Sequence, residues 1–195
     1  MNAQAEQVLK IFRDTGAYLK GHFRLTSGLH SPEYLQCALV LQHPPHAERL
    51  GAELAAVLRS AAGGETIGVV VSPAMGGLII GHEVARALGT RFLFTERDAS
   101  GKMTMRRGFA LQPNEAVVVV EDVITTGGST REVIEIVKAA GARPMAAASI
   151  IDRSGGKAEV GAPRMALATL EVVSYQAGDC PLCRQDLPVT KPGSR

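Results

Sequence analysis

Apolar and polar positions along this chain follow two rhythms, and the changes between them mark out most of the elements. Residues 3–14 carry Val8, Leu9, Ile11 and Phe12 at helical spacing and stop at Gly16, which predicts a helix. Residues 21–36 differ. There Gly21, Gly28 and Pro32 punctuate short apolar–polar alternations, predicting a small antiparallel unit ahead of the main core. Pro44-Pro45 opens a second helix running to about Ser60, with Leu50, Leu54, Val57 and Leu58 on one face and Gly63-Gly64 ending it. From there the alternation is regular: strands at about 67–71, 90–95, 116–121 and 145–151, with helices at about 77–88 and 129–140. Strands alternating with helices predict an α/β fold, a central parallel sheet flanked by helices on both faces. In such sheets ligands gather at the carboxyl ends of the strands. The expected organisation is one domain over residues 1–195, with a core at about 41–170, a small hood at about 17–40 and a C-terminal tail.

Composition narrows the classes. The chain has 195 residues, 46% of them hydrophobic and 4% aromatic with no Trp, which suits an aliphatic α/β interior. A formal net charge of +2 gives no basis for nucleic-acid or membrane-surface binding. No apolar run reaches the roughly 18 residues of a membrane span, and the N-terminus lacks a basic-then-apolar signal pattern, so a cytoplasmic location is expected. The three cysteines, Cys37, Cys180 and Cys183, cannot all pair within one chain. Cys180-Pro-Leu-Cys183 has the spacing of a zinc knuckle, but tetrahedral zinc needs about four ligands. No second Cys pair exists and the five histidines are far away in sequence, so these two read as reduced thiols near the tail.

The chemistry concentrates in residues 117–130. Val117 to Val120 form a β-branched run expected in a strand buried on both faces. Glu121 and Asp122 end it, and a loop of hydroxyls and glycines, Thr125 to Thr130, leads into an amphipathic helix. Hydroxyls and open backbone N–H groups at a helix N-terminus cradle phosphate. Carboxylates just before that cradle would repel phosphate but can accept hydrogen bonds from vicinal sugar hydroxyls, so the pattern describes a ribose 5-phosphate. Ser129-x-x-Glu132 also fits a capping box defining the helix start. Neither a Walker-type loop nor a G-x-G-x-x-G after a strand is present.

Three more loops lie at strand ends. Ser72 to Gly77 is a proline-bent turn whose Ala74, Met75, Gly76 and Gly77 can offer N–H groups to pyrophosphate. Residues 96–108 carry Arg97, Lys102, Arg106 and Arg107 among glycines, a composition that suits a mobile cationic segment closing over a departing anion. A solvated charged hairpin is the plainer alternative. Arg153 after Asp152 can fork onto a planar carboxylate or pair with its neighbour.

The 117–130 run resembles the signature of the type I phosphoribosyltransferases, which bind phosphoribosyl pyrophosphate (PRPP). Residues 21–34, with Ser27-Gly28-x-x-Ser31-Pro32, resemble the hood of the orotate phosphoribosyltransferases, and the Cys-Pro-Leu-Cys and Lys-Pro-Gly-Ser-Arg ending is similar to that of some bacterial members. The resemblance implies Mg²⁺-dependent, reversible conversion of orotate and PRPP to orotidine 5′-monophosphate and pyrophosphate in pyrimidine synthesis. It implies a homodimer whose basic loop acts in trans. It implies that Glu121 and Asp122 hold the ribose hydroxyls, with Val123, Ile124, Thr125, Thr126, Gly127, Gly128 and Ser129 around the 5′-phosphate. Thr125, Arg153, Tyr34 and Leu35 would meet orotate, and Lys102 and Arg97 would neutralise pyrophosphate, making Lys102, Arg97 and Asp122 the catalytic set. Mg²⁺ would arrive through PRPP, with no direct protein ligand assigned. This chain departs from the pattern at Thr26 and Gly76, where many members have lysine, and at Asp98, with no histidine between 97 and 108. A purine phosphoribosyltransferase and a PRPP-sensing nucleic-acid regulator are the alternatives; the second expects a basic face or an added binding module.

Overall fold

The computed structural model describes residues 3–25 and 27–192. Thr26 and the Gly193-Ser194-Arg195 end lie outside the described residues. Helix α1 (Ala3–Asp14) precedes an antiparallel pair, β1 (Tyr18–Arg24) and β2 (His30–Leu35), the small antiparallel unit expected ahead of the core and called the hood below. A short helix α2 (Cys37–Leu41) and a long α3 (Pro44–Ala62) follow. The core then alternates as β3 (Val69–Pro73), α4 (Gly77–Leu88), β4 (Arg91–Arg97), β5 (Met103–Met105), β6 (Ala116–Ile124), α5 (Gly128–Ala139), β7 (Arg143–Asp152) and β8 (Arg164–Thr169).

The main sheet has six strands in the order β5-β4-β3-β6-β7-β8. All neighbours pair in parallel except β4 and β5. The valine run explains why β6 sits at its centre. Val117 to Val120 are fully buried, and alternate members face opposite ways. Val118 and Val120 join the cluster under α1, α3 and α4 with Leu50, Leu54 and Ile80. Val117 and Val119 join the cluster under α5 with Val133, Ile134 and Val137. Each such side chain contributes about 1.5–3 kcal/mol of burial, so both faces anchor this strand.

Chain order reverses between β3 and β6, which are adjacent although α4, β4 and β5 separate them in sequence. That junction is the switch point of an open parallel sheet, and a crevice opens at its carboxyl end.

Several elements differ from the pattern-based expectation, among them α2 (Cys37–Leu41), for which no helix was expected. β6 continues to Ile124 rather than ending at its acids, because Val123 and Ile124 stay in register with Ile151 and Asp152 of β7. The basic segment takes the form of the plainer alternative, an antiparallel hairpin, with Thr95, Glu96 and Arg97 opposite Met105, Thr104 and Met103. β8 was not anticipated; its run of small and apolar residues pairs with β7 from Ala147 to Asp152.

Candidate active site

At the carboxyl end of β6 lies a cleft of about 440 Å³, lined by β6, the loop after it, the start of α5, Arg97, Arg153 and hood residues Leu25, Ser27, Tyr34, Leu35 and Gln36. Its floor is the acid pair. Glu121 is buried and Asp122 half-buried, and neither has an ion-pair partner among the described residues. Asp122 Oδ1 accepts from the Val123 N–H at 2.7 Å, and Glu121 Oε1 accepts from the Asp122 N–H at 3.2 Å. Burial, reinforced by the charge of Asp122, pushes the Glu121 carboxyl well above the usual range. Burial also raises Asp122. Such a pair gains from donors or a cation that favour its ionised form.

The loop beside it turns through Gly127, whose φ of 76° is left-handed. A Cβ there would also sit 2.6 Å from Val160 Cγ1, so the turn needs glycine on two counts. Gly127 is the N-cap of α5, and no side chain caps the helix. The capping box expected from Ser129 and Glu132 therefore does not form. Glu132 instead meets Arg97, Oε2 to Nη1 at 3.0 Å. The first N–H groups of α5 are left without side-chain partners and face the cleft beside the hydroxyls of Thr125, Thr126 and Ser129, which suits phosphate.

Arg153 closes the far side. Its backbone N–H donates to Ile124 O at 2.8 Å, holding it against the end of β6. Its Nη2 donates to Glu33 O of the hood at 3.3 Å, while its buried Nε has no partner. Pairing with Asp152, which the sequence left open, does not occur. Asp152 is fully buried and takes Arg164, the Ser154 N–H and hydroxyl, and the Gly156 N–H. Burial lowers the pKa of Arg153, and no carboxylate offsets it by direct contact.

The remaining expected residues lie near the cleft rather than in its lining. Ala74, Met75, Gly76 and Gly77 form the turn after β3, and a Cβ on Gly76 would sit 2.7 Å from Asp122 Oδ1. Lys102 lines a second pocket, between the hairpin and α5, which Arg97 shares. Its Nζ makes no hydrogen bond or ion pair among the described residues. Asp98 organises the hairpin tip, accepting from the Ser100 N–H at 2.8 Å and the Lys102 N–H at 3.1 Å. Arg107 and Arg106 are drawn to Glu96. Leu25, Ser27, Gln36, Thr130 and Glu132 line the cleft without having been expected as site residues. Only the position of Gln36 just past the hood motif pointed to it, and Glu132 had been assigned to a cap.

Comparison with known proteins agrees with this geometry. Residues 40–177 match the model of the phosphoribosyl transferase domain. An orotate phosphoribosyltransferase of Heliobacterium modesticaldum is 55% identical over 190 residues, covering 97% of this chain and 98% of that protein. The crystal structure of orotate phosphoribosyltransferase from Aeropyrum pernix superposes with a TM-score of 0.64 at 27% identity, over 84% of this chain and 94% of that one. The adenine phosphoribosyl transferase of Trypanosoma brucei shares the fold at a TM-score of 0.61 and 19% identity, over 96% and 87% of the two chains. The fold by itself therefore does not choose the base.

Proposed function

This chain belongs to the phosphoribosyltransferase family and, within it, to the orotate phosphoribosyltransferases, and we propose that its cleft transfers the 5-phosphoribosyl group of PRPP to orotate. The products are orotidine 5′-monophosphate and pyrophosphate, a step of pyrimidine nucleotide synthesis. The observation that carries the choice of base is Arg153, a half-buried arginine at the edge of the cleft whose buried Nε has no hydrogen-bond partner and whose guanidinium meets no carboxylate among the described residues. A planar carboxylate on the base answers it with two charge-assisted hydrogen bonds. Purines carry no such group.

In this reading the uncapped start of α5 and the hydroxyls of Thr125 to Ser129 bind the 5′-phosphate. Glu121 and Asp122 accept hydrogen bonds from the ribose hydroxyls, which fixes the sugar while its anomeric C–O bond breaks. Positive charge then develops on the ribose, and the buried acid pair lies where it stabilises that charge. Orotate, held by Arg153, Thr125 and the hood backbone at Tyr34 and Leu35, adds through its ring nitrogen from the face opposite the leaving pyrophosphate. Backbone N–H groups at Ala74 to Gly77 and the cations Arg97 and Lys102 take up the charge on pyrophosphate. No side chain is needed as a nucleophile, so electrostatic preorganisation supplies the rate.

Mg²⁺ fits these residues, because Glu121 and Asp122 are buried acids lacking a cationic partner among the described residues. Bound with PRPP, Mg²⁺ would neutralise pyrophosphate oxygens and favour the ionised form of that pair.

Lys102 lies outside the cleft lining, on the hairpin beside α5. This supports a homodimer in which the hairpin of one subunit covers the cleft of the other. No helix of the described residues is long and apolar enough to cross a membrane. The test is to incubate the purified protein with PRPP, Mg²⁺ and either orotate or a purine base. Loss of orotate absorbance with no purine turnover supports the assignment, and the reverse pattern rejects it.

A further inference from the structure

We propose that His22, His30, Cys180 and Cys183 form a structural zinc site that fastens the C-terminal tail to the hood. These four residues come from β1, β2 and the tail, and their ligand atoms all lie within 4.8 Å of one another. His22, His30 and Cys180 are buried, with Cys183 at the rim. The reading of Cys180 and Cys183 as simple thiols rested on histidines being distant in sequence. The fold removes that distance.

Four of the six ligand-to-ligand distances are short enough for the four atoms to share one tetrahedral cation. Cys180 Sγ lies 3.5 Å from His22 Nε2, and Cys183 Sγ lies 3.7 Å from the same atom and 3.3 Å from His30 Nδ1. With Zn–S of about 2.3 Å and Zn–N of about 2.0–2.1 Å, a tetrahedral centre has S···N edges of about 3.5 Å. His22 Nε2 and His30 Nδ1 are 2.8 Å apart, so the metal opens that edge to about 3.3 Å.

Protonation argues the same way. His22 Nδ1 lies 2.8 Å from Leu187 O, and a carbonyl only accepts, so Nδ1 carries the proton. In the neutral ring Nε2 then holds a lone pair, which faces His30 Nδ1 and the two sulfurs. One cation at their centre would accept a lone pair from each of the four groups. The Nδ1–H to carbonyl contact is also the outer-shell hydrogen bond that orients metal-bound histidines. Two thiolates and two imidazoles in a tetrahedron favour Zn²⁺ over harder cations.

The tail is otherwise held by few backbone bonds. His30 and Tyr175 exchange a pair of 2.8 Å hydrogen bonds, Thr190 donates to His22 O at 2.8 Å, and Arg24 donates to Thr190 O at 2.8 Å. Two single-turn 3₁₀ segments, Ala177–Asp179 just before Cys180 and Cys183–Gln185 beginning at Cys183, carry no buried residue of their own. A metal crosslink supplies the cohesion that apolar packing there does not. β2 leads into Tyr34 and Leu35, so the crosslink also steadies the wall of the cleft.

The test uses tag-free full-length protein produced with added Zn²⁺ and kept reduced. Metal analysis after gel filtration should find about one zinc per chain in the wild type and in His82→Ala, an exposed histidine elsewhere, and roughly a tenth of that in Cys180→Ser/Cys183→Ser. The metal-free protein should melt at a lower temperature. Zinc absent from the wild type, or held equally by the double variant, overturns the proposal. If the double variant does not fold, Co²⁺ loaded into the wild type decides. Intense tetrahedral and thiolate-to-cobalt bands support the site, and a weak octahedral spectrum overturns it.

Discussion

Asp152 and Arg153 are adjacent in sequence but do not pair: Asp152 turns inward to Arg164, and this leaves Arg153 at the cleft without a carboxylate partner among the described residues. Substituting the two arginines should therefore have opposite consequences. Arg153→Ala should raise KM for orotate by about 10–100-fold, the value of a charge-assisted hydrogen bond, with KM for PRPP and the melting temperature little changed. Arg164→Ala should cost about 3 kcal/mol of stability, because Asp152 is fully buried and loses its counter-charge. Steady-state kinetics and thermal melts separate the two. Equal stability losses in both variants would contradict the division.

The exposed Lys102 Nζ makes no hydrogen bond or ion pair among the described residues, so Lys102→Ala should leave the melting temperature nearly unchanged. It should lower kcat by about 10²–10³, as for removal of one transition-state donor. Mixing Lys102→Ala with Asp122→Asn subunits checks the trans arrangement. Hybrid dimers carry one intact site and should regain activity that neither variant shows alone. A mixture as inactive as its components rejects action across the dimer.

Gly127→Ala places a Cβ at a left-handed φ and against Val160. The expected cost is about 1–3 kcal/mol, with PRPP affinity lowered at least about tenfold as the loop shifts. Calorimetric titration with PRPP and Mg²⁺ measures the second effect, and wild-type affinity would contradict the role of this loop.

Burial raises the pKa of Glu121, so the folded protein holds that proton more tightly than the unfolded chain does. The associated stability is complete below the ordinary carboxylate value and is lost as pH rises through the elevated one. Glu121→Gln abolishes this decline. In ligand-free melts its advantage over the wild type should grow by a few degrees between about pH 5 and about pH 8, while PRPP binding is lost. A constant difference across that range would contradict the burial of this charge.

The parallel core was legible because its signals are local. Val117 to Val120 have no polar alternate, so only a strand covered on both faces accommodates them, and the Gly63-Gly64 and Pro44-Pro45 punctuation lies at the ends of α3. The residues that escaped depend on long-range partners. Glu121 and Asp122 resembled a strand end because acids seldom continue a buried ladder, yet β7 carries β6 to Ile124. Glu132 fitted a cap until Arg97 claimed it. His22 and Cys180 are separated by 158 positions, and only the return of the tail across the hood brings them together. Most cleft residues were legible as chemistry before the fold was known. The allegiance of Arg153 was not, since it depends on what Arg164 does.

The most direct measurement is a crystal structure with orotidine 5′-monophosphate. The account predicts its phosphate on the N–H groups and hydroxyls of Thr125 to Ser129, its ribose hydroxyls against Glu121 and Asp122, and its base carboxylate on Arg153. A nucleotide bound elsewhere, or one seated here with its carboxylate in solvent and Arg153 untouched, would contradict it.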